Sequence, residues 1–144
     1  MVISMNGIKV KTMETVRFVE CDSMNIVHHS NYFVWLENAR FEMLDKIGIT
    51  VSELEGEGLL FPVIEVYGKY IRSAKFQDIL EVETTLKLQE NDVAILQFDY
   101  VIRNKMNGKK IFKAYTKHAI LCKGEKVYSI PIKIKEKILK FLEK

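Results

Sequence analysis

The spacing of apolar side chains predicts one long helix in the first third of the chain. Apolar residues recur at intervals of three and four over 31–47, at Tyr32, Leu36, Ala39, Met43 and Ile47. Ser30 or Asn31 can cap the start of this helix, and Gly48 stands where a left-handed glycine commonly ends one. Because residues 32–36 are all apolar, we expect the first turns to be buried on most sides.

Apolar residues with a period of two predict strands on both sides of this helix. A short β-rich run precedes it at 15–19, and four longer strands follow at 60–72, 80–89, 94–103 and 110–122. In most of these strands polar and apolar residues alternate, which is typical of a strand with one buried face.

Turn-forming residues suggest how these strands are connected. Asn91-Asp92 and Asn107-Gly108 favour tight turns, so we expect the four late strands to form an antiparallel meander. Residues 52–58 read as a short connection. Pro131 opens a C-terminal helix whose apolar stripe comprises Ile134, Ile138 and Phe141.

This order of elements predicts an α+β fold. One antiparallel sheet of five or six strands has to cover one very apolar helix, and it can do so by curving around it. That layout is the hotdog fold. No internal repeat or compositional boundary interrupts the sequence, so we expect residues 1–144 to form a single domain.

Composition narrows the class of protein. The 22 basic and 19 acidic residues give a net charge of +3, and they are scattered rather than clustered as in a nucleic-acid binder. No segment reaches the roughly 18 apolar residues of a membrane helix, and residues 1–13 lack a signal-peptide core. Cys21 and Cys122 are too few for a disulfide framework. These features favour a cytoplasmic protein.

Asp22 is the first candidate for chemistry, because it lies in the loop that leads into the long helix. A helix N-terminus presents free N–H groups and a positive dipole end, which can hold an anion or a developing oxyanion. A carboxylate beside such amides suits attack on a carbonyl group. The alternative is that Asp22 only caps a turn, which is the commoner role of an aspartate in such a loop. His28 and His29 are adjacent with no third ligand in view, so we expect no metal site.

A motif surrounds Asp22 and continues through the helix. Its positions are Asp22, Val27, His29, Asn31, Tyr32, Trp35, Glu37, Ala39 and Arg40. This stretch resembles the signature of hotdog acyl-CoA thioesterases of the 4-hydroxybenzoyl-CoA thioesterase type, which include small thioesterases associated with the Tol–Pal system. Weaker matches to the family follow at Ser73-Ala74, Gln77-Asp78 and Ile130-Pro131.

The resemblance implies hydrolysis of an acyl-CoA, with Asp22 as the catalytic carboxylate, either as nucleophile or as general base. A backbone N–H near His29 would polarise the thioester carbonyl, while the His29 imidazole either positions the substrate or only packs. With Asp22 in that role, we expect Glu37 to pair with Arg40 in support of the fold. No metal or redox cofactor is implied.

The resemblance also suggests substrate contacts and partners. The substrate-binding residues expected are Asn31, Tyr32, Pro62, Val63, Arg72 and Lys75. Arg72 and Lys75 are assigned to the CoA phosphates, because the turn at 89–92, where some members carry basic residues, is acidic here. The family implies a homodimer or a dimer-of-dimers tetramer. An acyl-carrier-protein thioesterase and a non-catalytic acyl-binding module stay open as alternatives.

Overall fold

The computed structural model describes residues 7–90 and 93–143 and shows a curved antiparallel sheet around a central helix. The elements in chain order are β1 (Ile8–Thr15), α1 (Asn31–Ile47), α2 (Val51–Glu57), β2 (Leu59–Leu60), β3 (Val63–Tyr70), β4 (Ile79–Glu90), β5 (Ala94–Asn104), β6 (Lys110–Ala119), β7 (Leu121–Cys122), β8 (Glu125–Lys126) and α3 (Ile132–Leu142). The main sheet has the strand order β1-β4-β5-β6-β3, and β2, β7 and β8 form a second, small sheet.

The central helix α1 has the predicted bounds. Gly48 ends it in the left-handed conformation, with φ of 95°, and donates its N–H to the carbonyls of Leu44 and Asp45. The predicted apolar face is buried against the concave side of the sheet, through Tyr32, Trp35, Leu36, Ala39, Met43, Leu44 and Ile47. Burial of the first turns is incomplete, because the Val34 side chain is 46% exposed.

The predicted strand at 15–19 is wrong. The first strand lies upstream and ends at Thr15, whereas Phe18–Glu20 form one turn of 3₁₀-helix. Local hydrogen bonds explain the difference, because the Glu20 carboxylate accepts the Arg17 N–H at 2.8 Å instead of leaving it for a neighbouring strand. The apolar side chains of Phe18 and Val19 project outward and are 72% and 76% exposed.

The predicted meander is correct only for β4, β5 and β6. Strand β3 does not pair with β4, its successor in the chain, but lies on the far side of β6, with Tyr67 opposite Tyr115. The segment 71–78 between β3 and β4 has no tight-turn signal and is long enough to cross to the other side of the sheet. Strands β1 and β3 are therefore the two edges of the main sheet.

Three smaller expectations have different outcomes. Residues 51–57 form helix α2 rather than an irregular connection, since the Thr50 side chain caps it by accepting the Glu53 N–H at 3.2 Å. The last predicted strand ends at Ala119, because the chain turns there into the small sheet. The turn predicted at Asn91-Asp92 lies outside the described residues.

The C-terminal helix is confirmed. Pro131 precedes α3, and Ile134 and Ile138 are buried in the core, with Phe141 packed against it. Among the described residues, no helix is both long and apolar enough to cross a membrane.

Candidate active site

An open cleft of about 310 Å³ lies between the loop that enters α1 and the end of β3. The residues that line it are Asp22, Ile26, Val27, His29, Tyr32, Tyr70, Ile71, Arg72 and Ser73. Four of the predicted site residues are thus brought together, from three separate parts of the chain. Asn31, Pro62, Val63 and Lys75 are not among the lining residues.

Asp22 begins a tight turn and is half-buried. Its Oδ1 accepts the Met24 N–H at 2.8 Å, and its own N–H donates to the Ile26 carbonyl at 2.8 Å. Asn25 takes the left-handed conformation, with φ of 65°, which Asn tolerates better than most residues. Because only Oδ1 is engaged within the described residues, Asp22 both caps the turn and keeps Oδ2 available to the cleft.

The backbone at the start of α1 leaves the His29 amide without a protein acceptor among the described residues. The His28 N–H donates to the Glu20 carbonyl at 2.9 Å, and the Asn31 N–H donates to the His28 carbonyl at 3.0 Å. The Ser30 N–H faces the His28 Nδ1 at 3.3 Å. In the part of the chain that the structure describes, the His29 N–H has no such partner. His29, which carries this free amide, and Asp22 therefore line one cleft.

Two contacts hold His29 in place. Its imidazole lies against that of His28, with ring centroids 4.2 Å apart, and both rings are exposed. Its carbonyl accepts the Tyr70 hydroxyl at 2.8 Å. Tyr70, which the sequence did not single out, thus joins the end of β3 to the backbone that carries the free amide.

Glu20 is the other residue that the sequence analysis missed. It is 3% exposed, and its Oε2 accepts the Trp35 indole N–H at 2.7 Å while Oε1 accepts the Arg17 N–H. Its carbonyl accepts the Asn31 side-chain amide at 2.8 Å as well as the His28 N–H. The signal in the sequence was a single carboxylate at the end of an apolar run, since a buried carboxylate needs donors.

The side chains of Asn31 and Tyr32 both form hydrogen bonds to the backbone of neighbouring loops. The Asn31 side-chain amide holds the entry loop through Glu20 rather than projecting from the cleft wall. The Tyr32 hydroxyl accepts the Ala74 N–H at 3.1 Å, and its ring packs against Trp35 and Tyr70 at 5.0 Å. Burial of this ring raises the pKa of the Tyr32 hydroxyl.

The other predicted substrate contacts lie at two different places. Arg72 borders the cleft and donates from Nη1 to the Lys110 carbonyl at 2.8 Å. Lys75 lies two residues beyond Ser73, the last cleft residue of this segment, and its backbone N–H donates to the Asp78 carboxylate at 2.9 Å. Pro62 and Val63 stand at the opposite end of β3, about 23 Å from its last residue.

The predicted ion pair between Glu37 and Arg40 is wrong. Within residues 7–90 and 93–143 no ion pair joins them, and Arg40 Nη1 donates instead to the Tyr100 hydroxyl at 3.2 Å. A helical spacing of three residues permits the pair, but Glu37 is exposed whereas Arg40 turns toward the sheet. Arg40 therefore belongs to a polar network beneath α1.

Comparison with known proteins gives the family. The family model of the thioesterase-like superfamily matches residues 16–139. This chain belongs to the thioesterase-like superfamily. A candidate esterase of Aquifex aeolicus is 35% identical over 121 residues, which cover 84% of this chain and 91% of that protein. The acyl-CoA thioesterase YbgC of Helicobacter pylori is 28% identical over 102 residues, covering 69% of this chain and 74% of its own.

Solved structures confirm the predicted hotdog fold. A hypothetical protein of Thermus thermophilus superposes with a TM-score of 0.80 at 30% identity, over 91% of this chain and 98% of its own. The 4-hydroxybenzoyl-CoA thioesterase of Pseudomonas sp. strain CBS-3 superposes with a TM-score of 0.75 at 18% identity, over 90% and 98% of the two chains. The resemblance to hotdog thioesterases that the motif indicated is thus confirmed.

Proposed function

We propose that this chain hydrolyses acyl-CoA thioesters to the free acid and CoA. One observation carries the proposal: the Asp22 carboxylate, with Oδ2 unengaged among the described residues, shares a cleft with the free His29 N–H. Membership of the thioesterase-like superfamily and the name of the Helicobacter pylori relative support this reaction class and this carrier.

The His29 N–H supplies electrostatic stabilisation in the proposed reaction. The thioester oxygen accepts a hydrogen bond from this amide, which stabilises the negative charge that develops as the carbonyl carbon is attacked. A backbone amide at the start of α1 needs no reorganisation to do so, because Tyr70 and the turn at 28–31 already hold it. This role does not require the His29 imidazole.

Asp22 promotes attack on the thioester carbon by one of two routes. As nucleophile, its Oδ2 bonds to the carbonyl carbon, CoA leaves as thiolate, and water then cleaves the resulting anhydride. As general base, it takes a proton from a water that attacks the same carbon, and that proton passes to the leaving sulfur. Both routes need a carboxylate at residue 22.

Asp22→Asn tests the proposal, with Asp78→Asn as the matched control. Both side chains accept a backbone N–H, at 2.8 and 2.9 Å, and asparagine can keep either bond, but only Asp22 lines the cleft. Release of free thiol from a panel of acyl-CoAs should fall by a factor of about 100 or more in Asp22→Asn. Asp78→Asn should retain near wild-type activity.

The result also separates the alternatives. Full activity of Asp22→Asn would show that the proposed chemistry is wrong. Cleavage of acyl-carrier-protein thioesters but not of acyl-CoAs would identify a different carrier. Inertness of the wild-type chain on both, with retained acyl binding, would identify a non-catalytic module.

The assembly forms part of the same proposal. Strand β3 is an open edge of the main sheet and exposes the apolar side chains of Val63, Ile64, Val66, Tyr67 and Tyr70. We propose that a second copy covers this edge, as a homodimer or within a dimer-of-dimers tetramer. A single domain over residues 1–144 and a cytoplasmic location complete the proposal.

A further inference from the structure

Two lysines face each other on the convex side of the sheet, and neither forms an ion pair with a described residue. Lys69 on β3 and Lys113 on β6 are direct cross-strand partners, and both are exposed. Like charges opposite each other in a sheet are destabilising. The neighbour of Lys113 on the next strand is Val101, and the diagonal neighbour Asp99 is paired with Lys87 at 2.5 Å.

Two other lysines of this face contrast with this pair, because each has a carboxylate partner: Lys87 with Asp99 at 2.5 Å, and Lys117 with Glu65 at 3.4 Å. Within the described ranges, Lys69 and Lys113 belong to no ion pair. The same holds there for Lys110 and Arg72.

These four cations are continuous with the cleft. The N–H groups of Ile71 and Arg72 both donate to the Ile111 carbonyl, at 2.8 and 3.1 Å, which fixes the end of β3 against the start of β6. Arg72 borders the cleft and holds the Lys110 carbonyl. Lys69 precedes Arg72 by three residues, a span of at most about 11 Å.

We propose that Lys69, Arg72, Lys110 and Lys113, which we name the basic corner, bind the nucleotide phosphates of CoA. This inference rests on the proposed function. With the thioester in the cleft, the pantetheine arm leaves past Arg72, and the phosphates reach the convex face. Arg72 suits a phosphate through its fork of donors, and the lysines add positive charge. Lys75, assigned to this role from the sequence, is replaced by Lys69, Lys110 and Lys113.

The experiment compares Lys69→Gln/Lys113→Gln with Lys123→Gln/Lys126→Gln. The control pair removes the same charge from β8 and the turn before it, where both lysines are exposed. Each protein is assayed with an acyl-CoA and with the N-acetylcysteamine thioester of the same acyl group, which lacks the nucleotide. Binding of adenosine 3′,5′-bisphosphate is measured by calorimetry in parallel.

In Lys69→Gln/Lys113→Gln we expect the KM for acyl-CoA and the Kd of the bisphosphate to rise about tenfold. The kcat should stay within about twofold, and the N-acetylcysteamine thioester should be cleaved as by wild type, because the corner does not touch the reacting atoms. The Tm should not fall, since the change removes a like-charge pair. The control pair should leave every value near that of wild type.

Three results would overturn the inference: unchanged KM and Kd in the double variant, an equal effect on both thioesters, or an equal effect of the control pair. If the double variant loses activity only on acyl-carrier-protein thioesters, the basic corner binds an acidic carrier protein and not the CoA phosphates. If wild type cleaves no thioester but binds the bisphosphate through these lysines, the basic corner stands and the proposed hydrolysis fails.

Discussion

His118 is a buried histidine of the core with a fully hydrogen-bonded imidazole. It is 1% exposed, and its Nδ1 donates to the Phe61 carbonyl at 2.9 Å, which leaves Nε2 to accept the Thr116 hydroxyl at 2.9 Å. The Thr116 hydroxyl in turn accepts a hydrogen bond from the Tyr100 hydroxyl at 2.8 Å, and the Tyr100 oxygen accepts one from the Arg40 guanidinium. Because Arg40 can only donate and the Phe61 carbonyl can only accept, every hydrogen bond of this network is satisfied only when the imidazole is neutral.

This network predicts a pH-dependent stability. Burial lowers the pKa of His118 from 6.5 to about 4, so between these values the unfolded chain binds more protons than the folded one. The stabilisation is full above about pH 6.5 and is lost as the pH falls toward about 4, by about 3 kcal/mol in all. Urea unfolding of wild type and His118→Asn across this range measures it. The His118→Asn variant should be less stable than wild type, but its unfolding free energy should depend less on pH between about 4 and 6.5. An equally steep pH dependence in the variant would show that His118 is not its source.

At the scale of elements, one buried carboxylate joins the entry loop to α1. The Glu20 carboxylate accepts the Trp35 indole N–H and the Arg17 N–H. Its backbone carbonyl accepts the Asn31 side-chain amide and the His28 N–H. The position of Asp22 relative to the His29 amide depends on these bonds. Glu20 is thus a positioning residue for the proposed site.

Glu20→Gln should therefore lower both stability and turnover. A glutamine cannot accept at both side-chain positions, so one buried donor loses its partner, at a cost of about 2 kcal/mol. We expect kcat for acyl-CoA to fall while KM changes less, since the reacting groups are misaligned rather than removed. Glu14→Gln is the control, because among the described residues the half-buried Glu14 accepts only from Asn38. Equal effects of the two changes on kcat would contradict a positioning role.

At the scale of the whole molecule, β3 combines an unpaired edge with apolar side chains. Such an edge is a template for pairing with another chain. Ile64 and Val66 are 54% and 49% exposed in its first half. A second copy that adds its own β3 would bury them and extend the sheet.

We expect sedimentation equilibrium to give at least twice the 16.8 kDa of one chain. Ile64→Lys/Val66→Lys should shift the protein toward monomer by placing like charges at the centre of the contact, and Val51→Lys, on the exposed side of α2, should not. A wild-type monomer at micromolar concentration would refute the proposed assembly.

The sequence by itself determined the features that depend on near neighbours. The bounds of α1, the left-handed Gly48 and the start of α3 at Pro131 follow from side-chain periodicity and capping, which act within one or two turns. The motif around Asp22 identified the family for the same reason, because its residues lie in one continuous stretch.

Only the tertiary structure decided what depends on distant partners. The place of β3 beside β6, the meeting of Arg72 with Asp22 in one cleft, and the turn of Arg40 toward Tyr100 join residues far apart in the chain. Strand pairing and buried polar contacts are selected by the whole fold, since each segment alone can satisfy its hydrogen bonds in several ways. The apolar run at 15–19 shows this, because a strand was the local preference and the Glu20 contacts overrode it.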